Sequence, residues 1–416
     1  MASIVLKYGG TSVGTPARIR AVAEQVAALK SAGHRVAVVV SAMGHATDHL
    51  VELMGQVAED PPGRELDMLL ASGEQVSIAL VAAALERLGV TARSLLGFQA
   101  GVVTAPDHTR AAIARVDTSR MKGLMAEGVV PVVAGFQGMT EAGEVTTLGR
   151  GGSDTTAVAL AVALGVDRCE ICTDVDGVYT TDPRVVPEAR LLPEVAYEEM
   201  LELASLGAKV LHPRSVELAA RSDMVLVVRS SFGKHPGTIV RGVDQLEIHH
   251  PVTGVTVDLD QVRVVLRGLP DRPDVPPALF AMLAEQGRNV DVITMLTRSG
   301  PDGQRLDLGF TVATGDAGAV VGLVRDWVVR ISGATVEVDD AVAKVSIVGA
   351  GMVHHPGVAA GFFQALEAAG IPIGMISTSE IKVSCVVPRH QGLGAVQAAH
   401  RWFALHETRQ PFVLSR

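Results

Sequence analysis

Lys7 ends a short apolar run and is followed by Tyr8-Gly9-Gly10-Thr11-Ser12. Two successive glycines let the backbone approach a bulky anion with its N–H groups exposed, and the ammonium adds a compact positive charge. The order differs from the G-x-x-x-x-G-K-[ST] loop, because the lysine precedes the glycines. A tight turn with a lysine lying along the surface fits the same residues. A second cluster, Thr146-Thr147-Leu148-Gly149-Arg150-Gly151-Gly152-Ser153-Asp154-Thr155-Thr156, leads into an apolar stretch. Glycines followed by Ser153, Asp154 and two threonines predict an anion-receptive helix N-terminus, capped by Ser153 or Asp154. Arg150 in that loop can clamp a carboxylate with two parallel hydrogen bonds. A third cluster runs from Thr173 and Asp174 through Asp176-Gly177-Val178-Tyr179 to Asp182-Pro183-Arg184. It offers acceptors for a ribose or base and Arg184 for a phosphate. It fails as a calcium loop for want of the remaining ligands and the closing Glu.

These clusters need strand ends and a helix start to hold them. Short β-branched runs alternate with longer amphipathic stretches over the first 240 residues, the pattern of an α/β domain with a largely parallel sheet. Ile4 to Lys7, Arg35 to Ser41, Val129 to Ala134 and Cys169 to Thr173 read as strands; Pro16 to Ala32 and Ser153 to Leu164 read as helices. Loops at the carboxyl ends of such strands are where α/β proteins bind ligands.

Beyond about residue 245, Val264 to Ile293 can be laid over Ser346 to Ile376. Pro273 then matches Pro356, Phe280 matches Phe363, Leu283 matches Leu366, Gly287 matches Gly370 and Ile293 matches Ile376. Each copy reads strand, Pro-containing loop, helix, Gly stop, strand, strand, helix, an α+β ferredoxin-like unit. A dimerisation module without a ligand is the plainer use of such a unit.

The bulk properties narrow the partners. The 416 residues carry a net charge of -9 and no Lys/Arg-rich run, which argues against nucleic acid. Of 36 basic residues only seven are Lys, so a retained lysine is informative. Three cysteines make no disulfide framework, the first residues read as no signal peptide, and Ala157 to Val166 is about half a bilayer crossing, so a cytoplasmic protein without a membrane partner is expected. Cys169 and Cys172 lie three apart in a strand and read as structural. Gly349-Ala350-Gly351 is an incomplete dinucleotide fingerprint. His249-His250 and His354-His355 lack further ligands at metal spacing, and no metal-ligating residue is assigned.

Together the motifs resemble the amino-acid kinase family, and within it the aspartokinases. Lys7 to Val13, Val39 to Gly44, Ser72 to Ser77 (S-G-E-Q-V-S), Thr146 to Ala157, Asp176 to Arg184 and Gly207 to His212 are similar to that family's signatures, in its order. The duplicated tail resembles its tandem ACT domains. The resemblance implies an amino-acid-kinase fold over 1–245, a first ACT domain with a linker strand over 246–340 and a second over 341–416. It implies ATP-dependent phosphorylation of the L-aspartate side chain with Mg2+, and no general base is needed because that carboxylate is already ionised.

By the same resemblance Lys7 and Lys209 neutralise phosphate charge, and Gly9 and Gly10 cradle phosphate through their amides beside Tyr8. Asp154 orients Lys7 and the metal-bound phosphate. Arg150 takes the substrate's α-carboxylate, Glu74 its ammonium, and Ser41, Thr47 and Ser153 lie near the reacting carboxylate. Capping the following helix is the competing role for Glu74. Thr173, Asp174, Tyr179, Asp182 and Arg184 hold the nucleotide. Effector contacts for threonine or lysine fall on Asp271, Asp274, Asn289, Asp291, Ile373, Thr378, Ser379 and Glu380. ACT units with exposed sheet edges imply a homodimer or higher, and some relatives add a shorter subunit from an internal start.

The first copy departs from the family, with Pro273-Asp274 where Pro-Gly is usual and Met295 where a polar amide is common. Asp274 is expected to repel an effector carboxylate or to cap its helix, and Pro276 and Pro277 remove two donors. Two other readings stay open. An acetylglutamate or glutamate 5-kinase shares the Gly-rich grammar but lacks twin ACT domains and this Arg150 motif. A catalytically silent sensor would have no reason to keep Lys7, Glu74, Arg150 and Asp154.

Overall fold

The structure, a computed structural model, describes residues 1–208, 210–233, 235–245, 250–300, 303–331 and 334–407. Lys209 and His249 lie outside the described residues. The chain forms two compact units. The first holds Met1–Val178, Leu191–Ser205 and the described residues of 210–245; the second holds Tyr179–Arg190, Leu206–Ala208 and the described residues from 250 onward.

In the first unit the chain runs β1 (Ser3–Tyr8), α1 (Pro16–Ser31), β2 (Arg35–Val40), α2 (Ala46–Val57), α3 (Gly63–Leu70), α4 (Ser72–Arg87) and β3 (Ala92–Leu95). Next come β4 (Val102–Thr104), β5 (Ile113–Val116), α5 (Ser119–Ala126), β6 (Val130–Ala134), β7 (Gln137–Met139), β8 (Val145–Thr147), α6 (Gly152–Leu164) and β9 (Arg168–Thr173). It closes with β10 (Glu194–Ala196), α7 (Tyr197–Leu203), α8 (Pro213–Arg221), β11 (Leu226–Ser230) and β12 (Thr238–Arg241). The main sheet is ordered β10-β12-β11-β9-β1-β2-β6-β3, parallel from β11 to β3, and β5-β4-β7-β8 form a small second sheet. Strand and helix positions expected from the alternating pattern are occupied to within a residue or so. β1, β2 and β6 are buried on both faces, as the middle of a parallel sheet requires, and α1 and α4 cover them with Ile19, Val22, Val26, Ile78, Val81 and Leu85.

The consecutive helices α3 and α4 (Gly63–Arg87, 25 residues) contain an 18-residue window of mean hydropathy 1.7, longer than the Ala157 to Val166 stretch singled out in the sequence. Length and composition alone would let it cross a bilayer. Buried Asp67 and Glu74 and its packing into the main-sheet core make it a core helix instead.

In the second unit the strands are β13 (Gly254–Pro270), β14 (Asp291–Gly300), β15 (Gly303–Ala313), β16 (Thr335–Val348), β17 (Met375–Thr378) and β18 (Lys382–Pro388). They form one antiparallel sheet, β14-β15-β13-β16-β18-β17, with α9 (Val275–Glu285), α10 (Thr314–Val328), α11 (Val358–Ala368) and α12 (Gly392–Trp402) against it. The duplicated segments superimpose in kind: Leu283 and Leu366 are buried on equivalent helices, and Gly287 (φ 63°) and Gly370 (φ 67°) stop them in the left-handed region. The two long strands are shared. Gly254–Asp258 of β13 pairs with Val348–Lys344 and packs with α11 and α12, whereas the rest of β13 and the start of β16 pack with α9 and α10.

Tyr179–Arg190, assigned to the catalytic domain in the sequence, packs in this second unit. Thr180 Oγ1 lies 3.0 Å from His400 Nε2 on α12, its carbonyl accepts from the Val255 amide (2.8 Å), and Gln397 donates to the Val185 carbonyl (3.1 Å).

Candidate active site

Tyr8, Val40 and Cys172 are register neighbours, so the residues that follow them emerge together at the carboxyl ends of β1, β2 and β9. Ser41 donates its amide to the Tyr8 carbonyl (3.1 Å) and Gly135, after β6, donates to the Val40 carbonyl (3.0 Å). A Cβ on Gly10 would stand 2.8 Å from the Ala42 carbonyl oxygen, so only glycine lets these two loops meet. The Gly9 amide is committed to the Cys172 carbonyl (3.3 Å), which leaves it unavailable for the phosphate contact expected of it.

Lys7 Nζ lies 2.6 Å from Asp154 Oδ1, and each side chain is only 12% exposed. Asp154 sits in the first turn of α6, a helix buried continuously from Gly152 to Ala161. Its start is stripped of bulk. Gly151 (φ 69°) faces the His212 ring at 2.1 Å from where a Cβ would be, and Gly135 leaves room for Ser153. The N-cap is Gly151, without any side-chain cap bond, so neither Ser153 nor Asp154 caps the helix as expected from the sequence. Thr155 and Thr156 instead donate their hydroxyls to the Gly151 and Gly152 carbonyls (3.1 and 2.8 Å), and the Gly152 amide is spent on the Gly149 carbonyl (3.0 Å).

Glu74 is 2% exposed on the first turn of α4. It reaches across to the 41–44 loop rather than capping its own helix: Oε1 accepts from the Ala42 amide at 3.0 Å and Oε2 is buried with no partner. Burial pushes its carboxyl up to about 7, only partly offset by the Ala42 amide and Glu74's own amide. An unpaired oxygen on a buried carboxyl is a receptor for an ammonium. Thr47 is half-buried in α2, and Arg150 is exposed in its loop.

Thr173 ends β9 and donates to Asp174 Oδ1 (3.2 Å). Tyr179, Asp182 and Arg184 belong to the second unit, where Arg184 forks onto both Asp182 oxygens (2.7–3.1 Å) and holds that carboxyl below its usual range. Among the effector residues, Asp274 is the N-cap residue of α9 but makes no cap bond, contrary to one expectation, and pairs with Arg272 at 3.0 Å. Asp291 opens β14 and pairs with buried Lys344 of the second copy. Pro270, beside Asp271, registers with Arg305 and Asp291 with Thr311, which separates Asp271 and Asp274 from Asn289 and Asp291 by roughly 20 Å along the strands. Ile373 lines a cavity with Met295, Thr294 and Arg263, and Thr378, Ser379 and Glu380 are exposed at the other end of β17.

Several residues with roles at the site were not read from the sequence. Phe136 adopts φ 69°, rare for a non-glycine, with its amide on Thr156 Oγ1 (3.1 Å) and its carbonyl on the Leu148 amide (2.8 Å). Gln137 donates to the Ala71 carbonyl just before α4 (2.8 Å), and Arg214 donates to the Leu148 carbonyl (2.8 Å). Asp67 was signalled only by an acid within an apolar run. Among the described residues no group of three or more His, Cys, Asp or Glu is placed to hold a metal.

The amino acid kinase family model matches residues 2–230, and an ACT domain model matches residues 345–403. The aspartokinase of Thermus thermophilus is 47% identical over 405 residues, covering 97% of this chain and 99% of that protein. Among solved structures, the aspartate kinase from Synechocystis is 34% identical with a TM-score of 0.83, covering 99% of this chain and 100% of that one. E. coli aspartokinase III in complex with aspartate and ADP is 27% identical with a TM-score of 0.78, covering 96% and 99%. With a strand-end lysine paired to the first turn of α6 and twin C-terminal units both in place, this chain belongs to the amino acid kinase family and, within it, to the aspartokinases.

Proposed function

We infer that this enzyme transfers the γ-phosphoryl group of ATP to the side-chain carboxylate of L-aspartate, giving 4-phospho-L-aspartate at the head of lysine, threonine and methionine biosynthesis. The observation that carries the reading is the Lys7–Asp154 ion pair between the end of β1 and the first turn of α6, with buried Glu74 bonded to the Ala42 amide in the loop after β2. Lys7 offsets the charge that builds on the transferred group, and Asp154 fixes the ammonium in place. Arg150 takes the α-carboxylate and Glu74 the ammonium, while Ser41, Thr47 and Ser153 surround the reacting carboxylate. Thr173 and Asp174, at and just after the end of β9, lie on the nucleotide side.

Mg2+ fits as an ion held chiefly by the nucleotide's phosphates, since among the described residues Asp154 is the carboxylate paired with Lys7 and no group of three or more ligating side chains is placed to cage a metal. When bound it neutralises phosphate charge. Hydroxylamine trapping of the acyl phosphate, with ATP, Mg2+ and a panel of aspartate, glutamate and N-acetylglutamate, tests the assignment. Hydroxamate from aspartate alone is expected; none from any substrate would favour a silent sensor.

The regulatory reading is that an amino-acid effector, threonine or lysine, binds the second unit, with the first copy impaired. In α9 the Val275 amide is spent on the Arg272 carbonyl (3.2 Å), and Pro276 and Pro277 have no amide hydrogen to offer. In α11 Gly357 (φ 100°) precedes first-turn amides that have no intrahelical acceptor. The sheet edges β14 and β17 expose Ile293, Met295, Leu296 and Ile376, which suits pairing with another copy or with a shorter subunit from an internal start, in the cytoplasm.

A further inference from the structure

Arg150 makes no hydrogen bond or ion pair among the described residues, so the position of its guanidinium depends on how firmly the backbone of its loop is held. That backbone is tied down on its N-terminal flank. The Thr147 carbonyl accepts from the Ala111 amide (2.9 Å), and the next carbonyl, of Leu148, accepts from Arg214, whose other guanidinium nitrogen reaches the Ala111 carbonyl (3.4 Å). A Cβ on Gly149 would stand 3.1 Å from the Thr109 carbonyl oxygen, so the 105–112 loop and the Arg150 loop lie against each other.

Beneath both loops sits Asp67 on α3, fully buried. Its Oδ1 accepts from Thr147 Oγ1 (2.5 Å) and from the Thr109 amide (3.1 Å); its Oδ2 accepts from that amide (3.0 Å) and from His108 Nδ1 (2.8 Å). A buried carboxylate is costly unless several donors converge on it, and apolar side chains of similar size usually stabilise a core as well or better. All three donor groups here lie on the two segments that shape the Arg150 loop, and none belongs to the helix that carries the acid.

We propose that Asp67 is a positioning residue for Arg150, acting through Thr147 and the 108–109 backbone to set the enzyme's affinity for the substrate's α-carboxylate. The proposal rests on the assignment of that carboxylate to Arg150. Loss of a charge-assisted strut lets the loop drift, and a misplacement of about 1 Å at a clamping residue weakens recognition steeply.

Steady-state kinetics on the full-length enzyme, varying aspartate and ATP separately, tests it. Asp67→Asn and Thr147→Val are expected to raise the aspartate KM about tenfold or more and to leave the ATP KM within about twofold. Thr147→Ser, which keeps the hydroxyl, is expected to restore the wild-type value. In an Arg150→Ala background, Asp67→Asn should add less than about twofold, because the residue it positions is gone. Should Asp67→Asn fail to fold, Thr147→Val carries the test, since it leaves the Thr109 and His108 bonds to Asp67 intact. An aspartate KM unmoved in both strut variants, with only thermal stability or active fraction lowered, overturns the proposal, as does an equal rise in the ATP KM. If Arg150→Ala itself leaves the aspartate KM unchanged, the assignment of Arg150 fails first and takes the proposal with it.

Discussion

The Lys7 ammonium and the Asp154 carboxylate, from the end of a central strand and the first turn of a buried helix, meet at 2.6 Å with little of either exposed. Each side chain therefore depends on the other for its place. Lys7→Ala is expected to lower kcat by about a hundredfold or more while moving the aspartate KM by less than about threefold, the pattern of a contact made in the transition state. Lys7→Arg should not rescue it, because a planar guanidinium does not fit where a compact ammonium sits. Hydroxamate formation rates at saturating aspartate decide the matter.

Glu74 carries a pH prediction. With its carboxyl pushed up to about 7, a growing share is protonated as pH falls below neutrality, and only the ionised form attracts an ammonium. Aspartate binding should therefore strengthen from pH 6 to pH 8, by about tenfold at most. In Glu74→Gln the dependence over that window should vanish and affinity should be low throughout. Calorimetric titration of aspartate at four pH values measures both.

His400 gives a prediction of opposite character, for stability. Burial, helped by His406, lowers its pKa to about 4, so the folded state binds a proton less readily than the unfolded chain, whose value is near 6.5. The unfolded state then holds more protons between those values, and stability falls as pH drops from about 6.5 toward 4, by at most about 3 kcal/mol in total. Urea unfolding of wild type and His400→Gln at pH 7.5 and pH 5 should show the wild type losing more on acidification. Equal losses would refute the attribution to this ring.

The crowded start of α6 predicts a severe effect from the smallest change. Gly151→Ala places a methyl group 2.1 Å from the His212 ring at φ 69°, which asks for both backbone strain and displacement of a half-buried side chain. A loss of about 2 kcal/mol or more in unfolding free energy is expected, together with loss of activity. Gly143→Ala, which also has a positive φ but meets nothing nearby, should cost only about 1 kcal/mol by the same measurement and keep activity.

Restoring donors to the first regulatory copy should restore sensitivity. The combined change Asp274→Gly, Pro276→Ala and Pro277→Ala returns two amides to the first turn of α9 and removes a carboxylate paired only with exposed Arg272. Inhibition by threonine or lysine should then set in at roughly tenfold lower concentration than in the wild type. No shift with either amino acid, in an enzyme of normal activity, would count against an impaired first copy.

Much of this was legible in the chain because the signals were local. Apolar runs such as Ile4 to Lys7 and Cys169 to Thr173 marked central strands, the 83-residue repeat marked the twin units, and the glycines around Arg150 marked a helix start. What stayed hidden depends on contacts remote in sequence. Capping chemistry pointed to Ser153 or Asp154, yet the N-cap is Gly151, whose left-handed backbone does the turning. Nothing near Asp67 reveals donors about 41 and 80 residues away. Capping stayed open as the lesser role for Glu74 until the Ala42 amide appeared across the sheet end. Asp274, at an N-cap position, found Arg272 closer.

The sharing of β13 and β16 between the two regulatory copies limits how this gene can be divided. Each long strand serves one copy with its first half and the other with its second, so no cut between the copies yields two self-sufficient pieces. A fragment begun after residue 258 would lack the strand that pairs with Val348–Lys344 and would present an open, apolar edge there. An independently translated regulatory polypeptide must accordingly start upstream of Gly254, and a fusion or truncation that respects only the visible repeat would be expected to aggregate.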